Sequence, residues 1–138
     1  MKPCAVPLVS TCGAVLLLAA SAIPAMSAGD AAAGQRDFAA RCAGCHAATP
    51  GENKIGPSLA GVFGGTSGNV PGFHYSDALK NAHLNWDDAT LDEWLRSPPG
   101  LVYGTTMLAS VSSGSDRQDL IAYLKTLPAD QNEPHAER

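Results

Sequence analysis

The tightest constraint on this chain is the stretch "ARCAGCHAATP", which puts two thiols and an imidazole side by side as Cys42, Cys45 and His46. Three chemistries use such a cluster: a redox-active dithiol, half of a zinc site, and the covalent seat of a haem. Each asks for a different fold. A thioredoxin-like dithiol needs its C-x-x-C at a helix N-terminus behind a strand, in a βαβ setting. A structural zinc site needs four ligands, usually from two paired clusters. Haem attachment needs both cysteines on one helical turn with a histidine directly after them.

The first 28 or so residues read as a leader, outside the fold. Lys2 supplies an early charge, "AVLLLAASAI" from Ala14 to Ile23 is apolar, and Pro24 precedes the small-residue exit "AMSAGD". Cleavage after Ser27 places Ala25 three residues before the cut, whereas cleavage after Ala28 would place the bulkier Met26 there. The competing reading is an uncleaved membrane anchor, since about 20 apolar residues span a bilayer; Pro7 and Pro24 and the interspersed polar residues argue against it. The expected organisation is a signal peptide over 1–28, one domain over 29–130, and a short polar tail over 131–138. A periplasmic location follows from the leader.

Removing the leader takes Cys4, Cys12, Met1 and Met26 with it. Cys42 and Cys45 are then the only cysteines, and Met107 the only methionine. Eight Lys+Arg, the nine less Lys2, face thirteen Asp+Glu, for a net charge near −5. That excludes nucleic acid and an anionic lipid surface as natural partners. A domain of about 110 residues has a thin apolar core, and a large buried cofactor would help to hold it.

Helix signals occur three times. From about Asp30 to Gly44, Phe38, Cys42 and Cys45 recur at i, i+4 and i+7, which predicts one shared helical face. In "NWDDATLDEWLRSPP", Asp87 or Asp88 can cap a helix whose apolar face is Leu91, Trp94 and Leu95 and which Pro98 and Pro99 stop. In "SDRQDLIAYLKTLP", Ser115 and Gln118 form a capping box, Leu120, Ile121 and Leu124 face inward, and Pro128 ends the segment. Strand signals are nearly absent. Two long glycine- and proline-rich loops, Gly56 to Phe73 and Ser97 to Gly114, fit a compact domain only if they wrap something.

This organisation weighs the three chemistries unequally. The cysteine pair sits at a helix end with no preceding strand. The remaining histidines, His74, His83 and His135, are isolated and form no second zinc half-site; they are expected at the surface. C-x-x-C-H, by contrast, is the attachment signature of haem c.

From Gly34 to Leu127 the sequence also resembles the class I cytochromes c, the family of mitochondrial cytochrome c and its soluble bacterial relatives. The matching pieces are "GQRDFAARCAGCH", "KIGPSLAGVFGG", "GFHYSDALKN", "NWDDATLDEWLRSP", "YGTTM" and "DLIAYLKTL", in that order. The resemblance implies an all-α fold of three to five short helices with long loops wrapped around one haem, joined covalently through Cys42 and Cys45. It implies His46 and Met107 as the iron ligands, Pro57 as the carbonyl that orients His46, and Tyr75 and Trp86 as donors to a haem propionate. Gly34 and Phe38 should pack against Leu120 and Tyr123 where the terminal helices cross.

The implied activity is one-electron transport by a monomer, with no enzyme turnover because both axial positions are filled. Its partners would be redox proteins: a membrane cytochrome complex, an oxidase or a periplasmic reductase. Membrane contact would come only through them. The alternative is a haem domain of an enzyme, peroxidase-like or part of a dehydrogenase, or a gas-binding module; the peroxidase and gas-binding readings need an open iron site. Four positions depart from the mitochondrial pattern. Trp94 stands where a tyrosine neighbours the distal methionine, Leu79 where an asparagine lies in the pocket, Gly65 where an arginine approaches a propionate, and Thr106 where a lysine precedes the methionine.

Overall fold

The computed structural model describes residues 29–129. The expected leader, the domain end at 130, the tail and His135 lie outside the described residues. Five helices follow in order: α1 (Ala31–Arg41), α2 (Asp77–Asn81), α3 (Asp88–Arg96), α4 (Pro98–Leu101) and α5 (Gly114–Leu124). Extended pairing among the described residues is limited to one isolated antiparallel bridge, Thr66 to Asn85. No described helix is long and apolar enough to cross a membrane.

Helix α1 starts where the Asp30 carboxylate accepts the N–H groups of Ala32 (2.8 Å) and Ala33 (3.3 Å). It ends earlier than the sequence predicts. Cys42 is its C-cap, and the N–H groups of Cys45 and His46 both turn back to the Cys42 carbonyl, at 3.0 and 2.9 Å. Cys45 is therefore carried on a tight turn beyond the helix, not on the helix itself. This turn uses up the carbonyl at the helix end, which would otherwise lack a partner.

Helix α5 crosses α1. At the crossing, Gly34 lies so close to Asp119 that an added Cβ would overlap the Asp119 carbonyl and stand 2.9 Å from the Tyr123 Cβ. One turn on, Phe38 and Tyr123 meet with ring centroids 5.4 Å apart. The α5 cap differs from expectation. Ser113, not Ser115, is the N-cap: its hydroxyl accepts the Asp116 N–H (3.2 Å) and donates to the Asp116 carboxylate (2.8 Å). An aspartate three residues on completes a reciprocal cap that Ser115 and Gln118 would make with an amide.

Helix α3 is capped by Asp87, whose carboxylate accepts the Thr90 N–H at 2.8 Å and is held below its ordinary pKa by that bond. Leu91, Trp94 and Leu95 are its buried face, as the sequence predicts. Pro98 does not only stop it. It opens α4 at the first helical position, where its missing N–H has no helical acceptor to lose. Backbone bonds that tie the long loops down include Gly64 N–H to Trp86 (2.8 Å), Trp86 N–H to Gly65 (2.8 Å) and Ser67 N–H to Leu84 (2.8 Å) in the first and Val111 N–H to Leu95 (2.7 Å) in the second.

The α1–α5 contact generates a test. Gly34→Ala is expected to force the helices apart and lower stability by about 1–3 kcal/mol, the usual penalty for overpacking, read from the denaturant midpoint.

Candidate functional site

A cavity of about 410 Å³ opens into the core beneath the α1–α5 crossing, with Phe38, Leu91, Leu95, Leu120 and Leu124 on its inner walls. Those same side chains belong to the buried core cluster. Protein interiors pack densely, with few voids much larger than a water molecule. A cavity this large and this apolar is built around a bulky apolar group.

The cluster residues form one side. Cys42 is half-buried and Cys45 exposed, and both border the cavity. Burial pushes the Cys42 thiol above its ordinary pKa, against the pull of Arg41. His46 also borders it, and its Nδ1 lies 2.8 Å from the Pro57 carbonyl. A carbonyl only accepts, so Nδ1 carries the proton, and in the neutral ring Nε2 keeps its lone pair. Gly56 lies flat against this ring: any Cβ there would collide with Cε1, and would stand 2.7 Å from Nδ1. The segment is further braced by the Gly56 N–H to the Cys45 carbonyl (2.7 Å) and by Lys54 Nζ to the Ala43 carbonyl (3.2 Å).

Met107, from the second long loop, borders the same cavity. So do Tyr75 and Trp86. The Tyr75 hydroxyl accepts the Val70 N–H at 3.4 Å, leaving its own proton free to donate. Burial raises its pKa further, so it is an O–H donor at neutral pH. Trp86 is buried with its ring centroid 5.3 Å from that of Trp94. All seven candidate site residues thus meet at one cavity, although they come from positions 42 to 107. Two thiols, an imidazole with a fixed tautomer, a thioether and polar donors around an apolar interior suit a haem c. Cys42 and Cys45 would carry its thioether bonds, while His46 and Met107 would approach its iron.

The departures fall in different places. Trp94 and Leu79 line the main cavity. Gly65 lines a separate, smaller cleft of about 90 Å³ with Ser58, Thr66 and Asn69. His74 and His83 are exposed, as expected, and His83 has φ 49°, a left-handed turn unusual for a non-glycine residue.

Several contributors carry no sequence signal. Asn53 accepts the Ser58 N–H (3.0 Å) and donates to the Pro71 carbonyl (3.0 Å), joining two arms of the first loop. Arg117 is buried and reaches the end of the methionine loop. Ile55 and Leu108, both strongly exposed, stand at the cavity mouth.

Residues 31–128 match the family model described as "Cytochrome c". The chain is 47% identical to a cytochrome c of Euglena viridis over 100 residues, covering 72% of this chain and 98% of that protein. It is 44% identical to a cytochrome c2 of Blastochloris viridis over 118 residues, covering 84% and 91%. Among solved structures it is similar to cytochrome cH from Methylobacterium extorquens, with a TM-score of 0.66, 45% identity, and coverage of 71% of this chain and 99% of that one.

The close approach at position 56 is testable. Gly56→Ala is expected to tilt the His46 ring away from Pro57, at an overpacking cost of about 1–3 kcal/mol. The His46 Nδ1–H proton resonance in solution reports the displacement directly, and an unmoved resonance would contradict it.

Proposed function

Since this chain belongs to the cytochrome c family, electron carriers with covalently attached haem c rather than enzymes, we propose that it is an exported soluble carrier passing single electrons between redox proteins. In this reading His46 and Met107 are the axial ligands. When bound, the haem supplies the one-electron couple; the chain holds it, seals it and tunes it. The observation that carries the reading is that Cys42, Cys45, His46 and Met107, 65 positions apart at the extremes, border a single apolar cavity.

Each residue has a physical task. Cys42 and Cys45 anchor the group through thioether bonds and fix its orientation. His46 presents Nε2 because the Pro57 carbonyl holds its Nδ1 proton. Met107 offers a soft thioether, which favours the reduced metal. The leucine walls exclude water and disfavour the additional charge of the oxidised state. Tyr75 and Trp86 supply hydrogen-bond donors for a propionate, the polar edge of an otherwise apolar group.

The leader over 1–28 supports export to the periplasm, where a membrane cytochrome complex, an oxidase or a reductase would be the partner. The rim supports a docking mode without a ring of positive charge. From Ser97 to Ser115 there is no charged residue, and from Ile55 to Ser76 His74 is the only titratable group that can become cationic. Arg41, which borders the cavity, is engaged by Asp116 at 3.1 Å and Asp37 at 3.7 Å. Lys54 is turned onto the Ala43 carbonyl.

Two measurements test the proposal. The purified haem-loaded protein should be low-spin in both oxidation states and show the weak ferric sulfur-to-iron absorption band. Met107→Ala should lose that band and gain rapid carbon monoxide binding in the reduced state. A wild-type spectrum that is already high-spin would point to an enzyme or gas-binding haem instead. Electron transfer to an acidic cytochrome c partner should be slow and nearly flat with ionic strength, since exposed cations, the part of docking that salt screens, are scarce at the rim. Stopped-flow rates falling steeply with salt would contradict that docking mode.

A further inference from the structure

Met107 occupies the middle of a stretch that makes little structure of its own. From Tyr103 to Ser110 the hydrogen bonds among the described residues are the Thr105 N–H to the Val102 carbonyl (3.2 Å) and a long 3.4 Å bond from the Met107 N–H to Thr105 Oγ1. Tyr103 and Leu108 are strongly exposed. Beyond buried Thr105 and the packing of Met107 against the core, such a stretch keeps its position through its ends.

The upstream end is the short helix α4 and buried Val102. At the downstream end, the Val111 N–H donates to the Leu95 carbonyl of α3 at 2.7 Å. The other fastening is Arg117, the one charged side chain in the buried class among the described residues. Its Nη1 donates to the carbonyls of Val111 (3.0 Å) and Ser112 (2.8 Å). Its Nε and Nη2 fork onto Asp92 at 2.7 and 3.4 Å. One guanidinium therefore joins α5, α3 and the last residues of the methionine loop.

A fastening of α3 to α5 alone would not need this arrangement, because Leu91 and Leu95 already pack in one core with Leu120 and Leu124. What only the guanidinium provides is the reach from α5 to the two loop carbonyls. Its planar fork serves both ends at once: Asp92 fixes its plane and offsets its buried charge, and the remaining N–H groups are aimed at the loop. A lysine offers a point charge without the fork.

We infer that Arg117, oriented by Asp92, is a positioning residue for Met107: it latches the downstream end of the methionine loop and sets how often that loop swings Met107 away from the cavity. The inference rests on the proposed His46 and Met107 ligation. Local opening of a sparsely bonded segment is a separate equilibrium from global unfolding. The latch acts on that local equilibrium, and so on how well the site excludes small ligands.

The test uses the full chain, exported and haem-loaded. Carbon monoxide binding to the reduced protein and imidazole binding to the oxidised protein both require Met107 to leave, so their rates report loop opening. Guanidinium unfolding followed by far-ultraviolet circular dichroism reports global stability. Tyr123→Leu, which weakens the α1–α5 crossing without touching the loop, calibrates what a purely global loss does. Arg117→Met is expected to speed ligand entry about tenfold or more, the change in an opening equilibrium from losing charge-assisted hydrogen bonds. Arg117→Lys should recover little of the wild-type rate, and Asp92→Asn should show an intermediate gain.

Entry rates in the Arg117 variants no higher than in Tyr123→Leu, compared per unit of lost global stability, would overturn the latch. If Arg117→Met fails to load haem, Arg117→Lys and Asp92→Asn decide by the same comparison. A wild-type protein that binds carbon monoxide at once would remove the His46 and Met107 reading and the latch with it. A slow wild type whose variants are also slow removes the latch alone.

Discussion

Where α1 crosses α5, backbone meets backbone: Gly34 has no room for a side chain against Asp119, and Phe38 closes on Tyr123 just beyond. This contact fixes two things at once. It sets the direction in which α1 delivers Cys42 and the following turn, and it sets the depth at which Leu120 and Leu124 present their side chains to the cavity. Asp119 adds a tether by accepting the Asp30 N–H at 2.7 Å, so the start of α1 is bound to the same turn of α5. The loops can be long and irregular because the two helices have already settled where the cavity lies.

The two sides of that cavity are held in different ways. Around His46 the backbone is cross-braced at short range. Gly56 bonds to Cys45, Leu59 to Ala47 at 2.9 Å, the Ser58 hydroxyl to Thr49 at 2.7 Å, and the imidazole itself to Pro57. Around Met107 comparable bonds are missing among the described residues, and the stretch depends on its anchors at α3 and α5. The asymmetry has a chemical sense. In the proposed ligation, a histidine next to two covalent anchors would gain nothing by moving, while a thioether on a loosely bonded loop would be a ligand whose retention the surrounding protein can adjust.

Of the residues that meet at the cavity, Cys42, Cys45 and His46 are legible as a motif, while Pro57, Tyr75, Trp86 and Met107 are legible through the resemblance to the class I cytochromes c. Cys42, Cys45 and His46 form a spaced cluster, Pro57 sits in "GPSL", and Met107 is the single methionine left beyond the leader. The helix faces were legible from apolar spacing in α3 and α5. What failed was finer grained and local. The α5 cap moved from Ser115 to Ser113 because both serines precede a polar residue by three, and only the structure shows that Asp116 reaches back. The spacing of Phe38, Cys42 and Cys45 predicts a helical Cys45, because spacing alone does not reveal a helix closing at Cys42. Arg117 gave no signal at all: in sequence it is one more charged residue on an amphipathic helix, and its burial depends on where Asp92 and the Val111 carbonyl arrive in space.

The same geometry explains where this acidic chain keeps its charges. Both long loops border the cavity and also meet solvent, so a charge placed on them would stand close to a low-dielectric interior and act on the redox site with little screening. The charges of the described chain lie instead largely on the helices, many in pairs: Arg41 with Asp116 between α1 and α5, Lys80 with Asp77 on α2, Arg96 with Glu93 on α3, and Lys125 with Asp88. The cavity mouth is left to Ile55, Leu108 and threonine, with Arg41 the one charged residue that borders the cavity and held there by Asp37 and Asp116. A rim sparse in charge thus follows from the need to isolate the site as much as from any choice of partner. In the proposed carrier such a rim would meet partners through shape and apolar contact beside the cavity.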